Sequence, residues 1–99
     1  MGYAVIFSAQ SNRDLGAIVA FVAAYNPKSA EGLGNTLVDR ALLLGTHPHL
    51  GASVHERPGV RRLVHKPWIV IYYRVDFERR TVEIARIWDA RQNPEALRV

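Results

Sequence analysis

The chain has 99 residues, 48% apolar and 22% charged, a composition that fits one small globular domain with a thin core (residues 1–99). It has no cysteine, which excludes disulfides, thiolate chemistry and cysteine-ligated metal sites; it also lacks a basic, apolar secretory leader or a membrane-length apolar run, so a cytoplasmic protein is expected. Residues 1–56 hold three basic and four acidic side chains and residues 57–99 hold ten and five, so the net charge of +4 arises in the second half, where it can steer an anionic partner.

"YAVIF" (3–7) reads as a short strand with Tyr3, Val5 and Phe7 on one face. Ser11 or Asn12 is expected to cap the next helix, with Asp14 favourably placed in its first turn. From Arg13 to Tyr25 the set Leu15, Ile18, Val19, Val22 and Tyr25 keeps a 3.6-residue period, and Asn26-Pro27 ends it. A second helix is expected from Lys28 to about Leu44, with Ala30, Leu33, Leu37, Ala41 and Leu44 as its buried stripe. Gly32 and Gly34 either weaken its early turns or admit close contact with the first helix. The short connection implies an antiparallel helical hairpin.

Residues 45–59, rich in glycine and proline, read as a loop with at most a brief extended piece at 53–55. Three strands follow, "VRRLVH" (60–65), "WIVIYYRV" (68–75) and "TVEIARIW" (81–88), and the middle one is the most apolar. The expected fold is α+β: an N-terminal strand, an antiparallel two-helix hairpin packed on a small antiparallel sheet, and a C-terminal three-strand meander.

Strict alternation places Trp68, Val70, Tyr72 and Arg74 opposite Ile69, Ile71, Tyr73 and Val75. It likewise separates Val82, Ile84, Arg86 and Trp88 from Glu83, Ala85 and Ile87. Arg61 and Arg62 point to opposite faces, and Arg62 is expected to join Arg74 or Arg86 at a basic concavity. Arg91 stands just beyond the last strand. Guanidinium forks suit phosphates and carboxylates equally, so Arg61, Arg62, Arg74, Arg86 and Arg91 are candidate target-binding residues. His65 is a candidate proton donor, Lys66 a phosphate contact, and Tyr72 and Tyr73 potential stacking groups. His47 and His49 flank Pro48 without a matching ligand pair. No metal and no cofactor are expected.

In order and spacing, "SNRDLGAIVAFVAAYNPKSA", "LLLGTHPHLG", "GVRRLVHKPWIVIYYRVD" and "VEIARIWDARQNP" resemble the RelE/ParE toxin superfamily of bacterial type II toxin–antitoxin systems, closer to its ParE-like side. The resemblance implies a growth-inhibiting toxin neutralised by a cognate antitoxin, with operator DNA contacted only indirectly through that antitoxin. RelE-like members cleave mRNA in the ribosome. For such an endoribonuclease the matching catalytic set would be Arg62, Lys66, Arg86 and Arg91. Yet Leu97 stands where a tyrosine would be expected, and Val70 near the position of a basic residue. ParE-like members inhibit DNA gyrase, which requires no bond-breaking side chain, although "IWDAR" departs from their histidine–glycine corner. Three readings stay open: a gyrase inhibitor, an mRNA endoribonuclease and a non-toxic protein- or nucleic-acid-binding module.

Overall fold

A computed structural model of the chain describes residues 2–99, and Met1 lies outside the described residues. The elements run β1 (Ala4–Phe7), α1 (Ala9–Ala23), α2 (Pro27–Leu43), β2 (Ala52–Ser53), β3 (Val60–Lys66), β4 (Ile69–Asp76) and β5 (Thr81–Asp89), followed by a 3-10 turn at Pro94–Ala96. The sheet order is β1-β5-β4-β3-β2. The meander β3–β4–β5 and the short β2 are antiparallel, and β1 joins β5 in parallel. The α+β expectation holds, with one strand of the sheet running parallel rather than antiparallel.

A single residue separates β1 from α1. Ser8 Oγ accepts the Ser11 N–H at 3.0 Å as the N-cap, and it donates to the Ala85 carbonyl at 2.9 Å. The Ser8 N–H donates to Ile84 O at 3.0 Å. The helix therefore begins at Ala9 rather than Arg13. Ser11, expected as a cap, is instead fully buried in the first turn and donates its hydroxyl to Ser8 O. Ser8 wins because its hydroxyl meets the needs of both the helix and the sheet.

The second helix starts as its sequence suggests, with the Asn26 side chain accepting the Ser29 N–H and Pro27 in the first turn. Ala30, Leu37, Ala41 and Leu44 are buried and Leu33 packs against them. At Gly34 a Cβ would lie 3.2 Å from the Val19 side chain, so this glycine admits the close approach of α1. A Cβ at Gly32 would meet open space. The loop after α2 is fixed by the buried Tyr73, whose hydroxyl donates to Pro48 O at 2.9 Å and accepts the Gly51 N–H at 2.8 Å. Only glycine fits at position 51, where a Cβ would fall 2.5 Å from Arg62 O and 2.8 Å from the Tyr73 ring.

The helices cover one sheet face, burying Ile18, Leu37 and Leu44 against Ile69, Ile71 and Ile84. Each such side chain contributes roughly 1.5–3 kcal/mol of transfer free energy. A smaller cluster, Val60, Val70, Tyr72 and Trp88, lies on the outer face and is closed by Leu97 from the C-terminal tail.

From Ile69 onward the alternation in β4 is as expected, but Trp68, expected beside Val70 and Tyr72, packs instead on the helix side, and the alternation in β5 fails as well. Tyr72 pairs with Arg86 and Tyr73 with Ile84, so Ala85 is a bulge with no partner. Val82 and Ile84 share the helix side with Ile87, while Arg86 and Trp88 turn to the outer face. The expected grouping of Val82, Ile84, Arg86 and Trp88 on one face is thereby corrected. β3 shifts too: Val64 pairs with Val70 and Lys66 with Ile69, leaving His65 extra. Among the described residues, no helix is long and apolar enough to cross a membrane.

Candidate functional site

The register sets three cross-strand rows on the outer face: Val60–Arg74–Glu83, Arg62–Tyr72–Arg86 and Val64–Val70–Trp88. Arg62, Arg74 and Arg86 are thus brought onto one surface, with Tyr72 between Arg62 and Arg86. Their circumstances differ. Arg62 is exposed beside His55 and Glu56 in a small cleft, whereas Arg74 lies 3.7 Å from the half-exposed Glu83 carboxylate. An ion pair as open as that contributes little.

Arg86 is held hard. Its Nε and Nη2 donate to the two Asp14 oxygens at 2.7 and 3.0 Å, and Nη1 donates to the Arg98 carbonyl at 3.2 Å. The Arg86 and Asp14 side chains are only 13% and 10% exposed. The pair exists because β1 stops at Phe7, where its ladder with β5 ends at Ile84. Past that point α1 runs beside β5, and Asp14 also accepts the Ile87 N–H at 3.1 Å. A helix carboxylate thus takes over where the neighbouring strand runs out, and the bulge at Ala85 aims Arg86 towards it.

Arg91 lies at the far end of β5. It donates to Asp89 from Nε at 3.0 Å and Nη2 at 2.9 Å, and its N–H reaches the same carboxylate at 2.9 Å. The guanidinium lies 4.1 Å from the Trp68 ring centroid and 5.1 Å from that of Phe21. Hydrogen bonds from Arg91 hold the Asp89 carboxyl below its usual pKa, despite some opposing burial. Phe21, Trp68, Asp89 and Arg91 line a cleft of 310 Å³.

Arg61 leaves this surface altogether. It sits across from Tyr73 on the helix side and donates to Gly51 O at 2.8 Å. Lys66 leaves as well, because the extra residue at His65 turns the strand end. Both His65 and Lys66 line a second cleft, 460 Å³ in volume, with α2 and Trp68. Burial, then the charges of Arg40 and Lys66, push the His65 ring below its ordinary pKa. Tyr73 is tied to the loop and its pKa is raised by burial, while Tyr72 is buried beneath the tail. Among the described residues, no group of three His, Cys, Asp or Glu side chains could hold a metal.

Sequence reasoning missed Asp14 as the partner of Arg86, Phe21 as a wall around Arg91, and Arg40 beside His65. Asp14 reads locally as a helix-start charge, and nothing within a helical turn of it names a residue 72 positions away.

Helices on one face of this strand order are a fold shared with solved chains. A chain of the chromosomal ParDE system from P. aeruginosa superposes with a TM-score of 0.75 at 24% identity, covering 88% of this chain and 95% of that one. A chain of the RelBE2 toxin–antitoxin complex from Mycobacterium tuberculosis gives 0.65 at 24% identity, over 90% and 99%. No curated protein matches the chain. The family described as the ParE toxin of the type II toxin–antitoxin system parDE matches residues 5–94, and the chain belongs to it. It is a type II toxin at family level, with a cognate antitoxin as partner.

Proposed function

We propose that this toxin arrests growth in the bacterial cytoplasm by binding and inhibiting DNA gyrase, rather than by cutting mRNA. The observation that carries the reading is the commitment of the outer face. Arg86 is engaged by Asp14 and the tail, and Leu97 covers Tyr72 and Trp88. A phosphate-cleaving site needs cations and proton carriers converging on one accessible point. Here the four residues of the endoribonuclease alternative diverge: Arg62 and Arg86 share the outer face, Lys66 lies on the helix side, and Arg91 stands at the corner. Binding a protein–DNA target needs no such convergence.

On this reading Arg62, Arg74 and Arg91 are the target-contacting arginines. Arg61 and Arg86 position the loop and the bulged strand. Operator DNA is met through the antitoxin. The cross-strand row Arg62–Tyr72–Arg86 is the feature that favours mRNA cleavage, since it places two guanidiniums around a phenol.

The test is induction in a bacterium without the antitoxin, with DNA breaks and transcript ends followed in parallel. Gyrase-dependent breaks with intact transcripts are expected. Codon-positioned cleavage on ribosomes overturns the proposal in favour of the endoribonuclease. Harmless expression of folded protein overturns both and leaves a binding module. Arg91→Ala should weaken growth arrest at equal soluble expression, with an unfolding midpoint lowered no further than by Asp89→Asn. Undiminished arrest removes Arg91 from the contact surface.

A further inference from the structure

The stretch after β5 lies on the sheet without joining it. Among the described residues, the N–H groups of residues 94–99 donate only within 93–99: Glu95 to the Asn93 side chain, Ala96 to Asn93 O and Leu97 to Pro94 O. Arg98 also folds back, donating from Nη1 to Glu95 O at 2.6 Å and to Leu97 O at 3.2 Å. Two apolar side chains and two carbonyls tie the stretch to the outer face. Leu97 is buried over Val60, Val70, Tyr72 and Trp88, with Val99 packed beside it. Leu97 O accepts Arg57 Nη2 at 3.4 Å, and Arg98 O accepts Arg86 Nη1 at 3.2 Å. The strands beneath are joined along whole ladders. So lightly attached a stretch opens by itself, well before the sheet does.

What it covers differs from the core on the helix side. Tyr72 and Trp88 are both buried, yet neither the phenol nor the indole N–H has a hydrogen-bond partner among the described residues. Buried tyrosine and tryptophan ordinarily find one, as Tyr73 does through Pro48 and Gly51. Arg62 and Arg86 flank Tyr72 across the strands, and the Arg86 guanidinium lies 5.2 Å from the Trp88 ring centroid. Asp14 holds Arg86 by Nε and Nη2, so lifting the stretch releases Nη1 alone, on a guanidinium that stays in place. Opening therefore uncovers a tyrosine, a tryptophan and a fixed arginine edge, the residue types that dominate protein-binding hot spots, on the surface that carries Arg62 and Arg74. Lys66 and Arg91 stay where they are, so opening assembles no phosphate-cleaving centre.

We propose that residues 93–99 form an autoinhibitory strap. Docked, the strap shields Tyr72, Trp88 and one edge of Arg86. Lifted, it completes the target-binding surface begun by Arg62 and Arg74. The inhibitory role rests on the reading of the outer face as the surface that meets the target; the opening itself does not. Leu97 seats the strap, and Arg57 fastens it from the loop before β3. When only the open form binds, apparent affinity scales with the open fraction, so whatever loosens the strap strengthens binding in proportion.

The test uses the full isotope-labelled chain, with Arg57→Gln and Leu97→Ser as variants. In the parent, relaxation dispersion should find one shared exchange process at the Leu97 methyls, the Tyr72 ring and the Trp88 indole, absent from Ile71 and Ile84 on the helix side. Arg57→Gln should raise the open population about fivefold, the weight of one long hydrogen bond. Leu97→Ser should leave the strap mostly undocked, with the Ile71 and Ile84 signals in place to show that the sheet is intact. Induced without antitoxin, Arg57→Gln should arrest growth at about a fivefold lower soluble level than the parent, and Leu97→Ser at a lower one still. No shared exchange at the three sites, or an Arg57→Gln chain that exchanges as the parent does, overturns the strap. An opened strap with arrest unchanged or weakened overturns its inhibitory role. Opening in chains that all leave growth untouched keeps the strap, and removes the toxin reading together with the inhibition that rests on it.

Discussion

Removing the Asp14 carboxylate should be among the most damaging single changes in the molecule. Asp14→Ala deletes both hydrogen bonds to Arg86 and the acceptor for the Ile87 N–H, and leaves a guanidinium that is only 13% exposed without its counter-charge. Breaking a buried pair from one side costs about 3–5 kcal/mol. The lower end applies, because Arg86 keeps the Arg98 carbonyl and a narrow opening to water. For a domain of this size about 3 kcal/mol corresponds to a fall in Tm of roughly 12–24 °C. Urea unfolding followed by tryptophan fluorescence measures the loss directly. Asp14→Asn, which keeps an acceptor for the strand N–H, should fall about midway. A cycle with Arg86→Met separates the pair from the packing, since deleting both partners should recover about 2 kcal/mol relative to the sum of the single changes. Additive effects, or an Asp14→Ala loss below about 1 kcal/mol, would show that the pair is not what closes the β5 edge.

Other expectations concern the loop, the tail and acid stability. Tyr73→Phe strands the Gly51 N–H and the Pro48 carbonyl and should cost about 2 kcal/mol, with hydrogen exchange accelerated first at residues 48–51; unchanged protection there would dismiss the hydroxyl as the loop's anchor. Leu97→Ala uncovers Tyr72 and Trp88 and should cost about 2–3 kcal/mol, with a red shift of tryptophan emission, whereas an unmoved spectrum would mean that Leu97 does not shield the ring. Hydrogen bonds from Arg91 hold the folded Asp89 carboxyl below the ordinary carboxylate range, so the folded state binds fewer protons than the unfolded one over that window. The stability it confers is present above the unfolded value and lost as pH falls through the folded one. The gap in urea midpoint between the parent and Asp89→Asn should therefore close on acidification from pH 6 to pH 2, and a constant gap would contradict the assignment.

The sequence made visible whatever depends on a run of neighbours. The alternation of Ile69, Ile71 and Tyr73 against Val70 and Tyr72 survives intact, as does the Leu37–Ala41–Leu44 stripe, because each is set by the local repeat of one element. The parts of the site that escaped notice depend on register. Nothing in "VEIARIW" announces that Ala85 will have no partner, yet that one residue decides which face Arg86 takes. The irregularity at His65 likewise sends Lys66 to the helix side, away from Arg62. Ser8 was overlooked because a serine between a strand and a helix reads locally as a turn, and its second bond reaches Ala85, 77 residues on.

The weld at Ser8 also orders events in time. A growing chain emerges with β1 and the start of α1 before β5, and the carbonyls of Ile84 and Ala85 that hold this junction, and the guanidinium that satisfies Asp14, follow 72–77 residues later. Until residues 81–87 leave the ribosome, the parallel strand has no neighbour and the sheet cannot close. The closed sheet thus comes into being only once β5 has been made, and β1 with the start of α1 must wait for it.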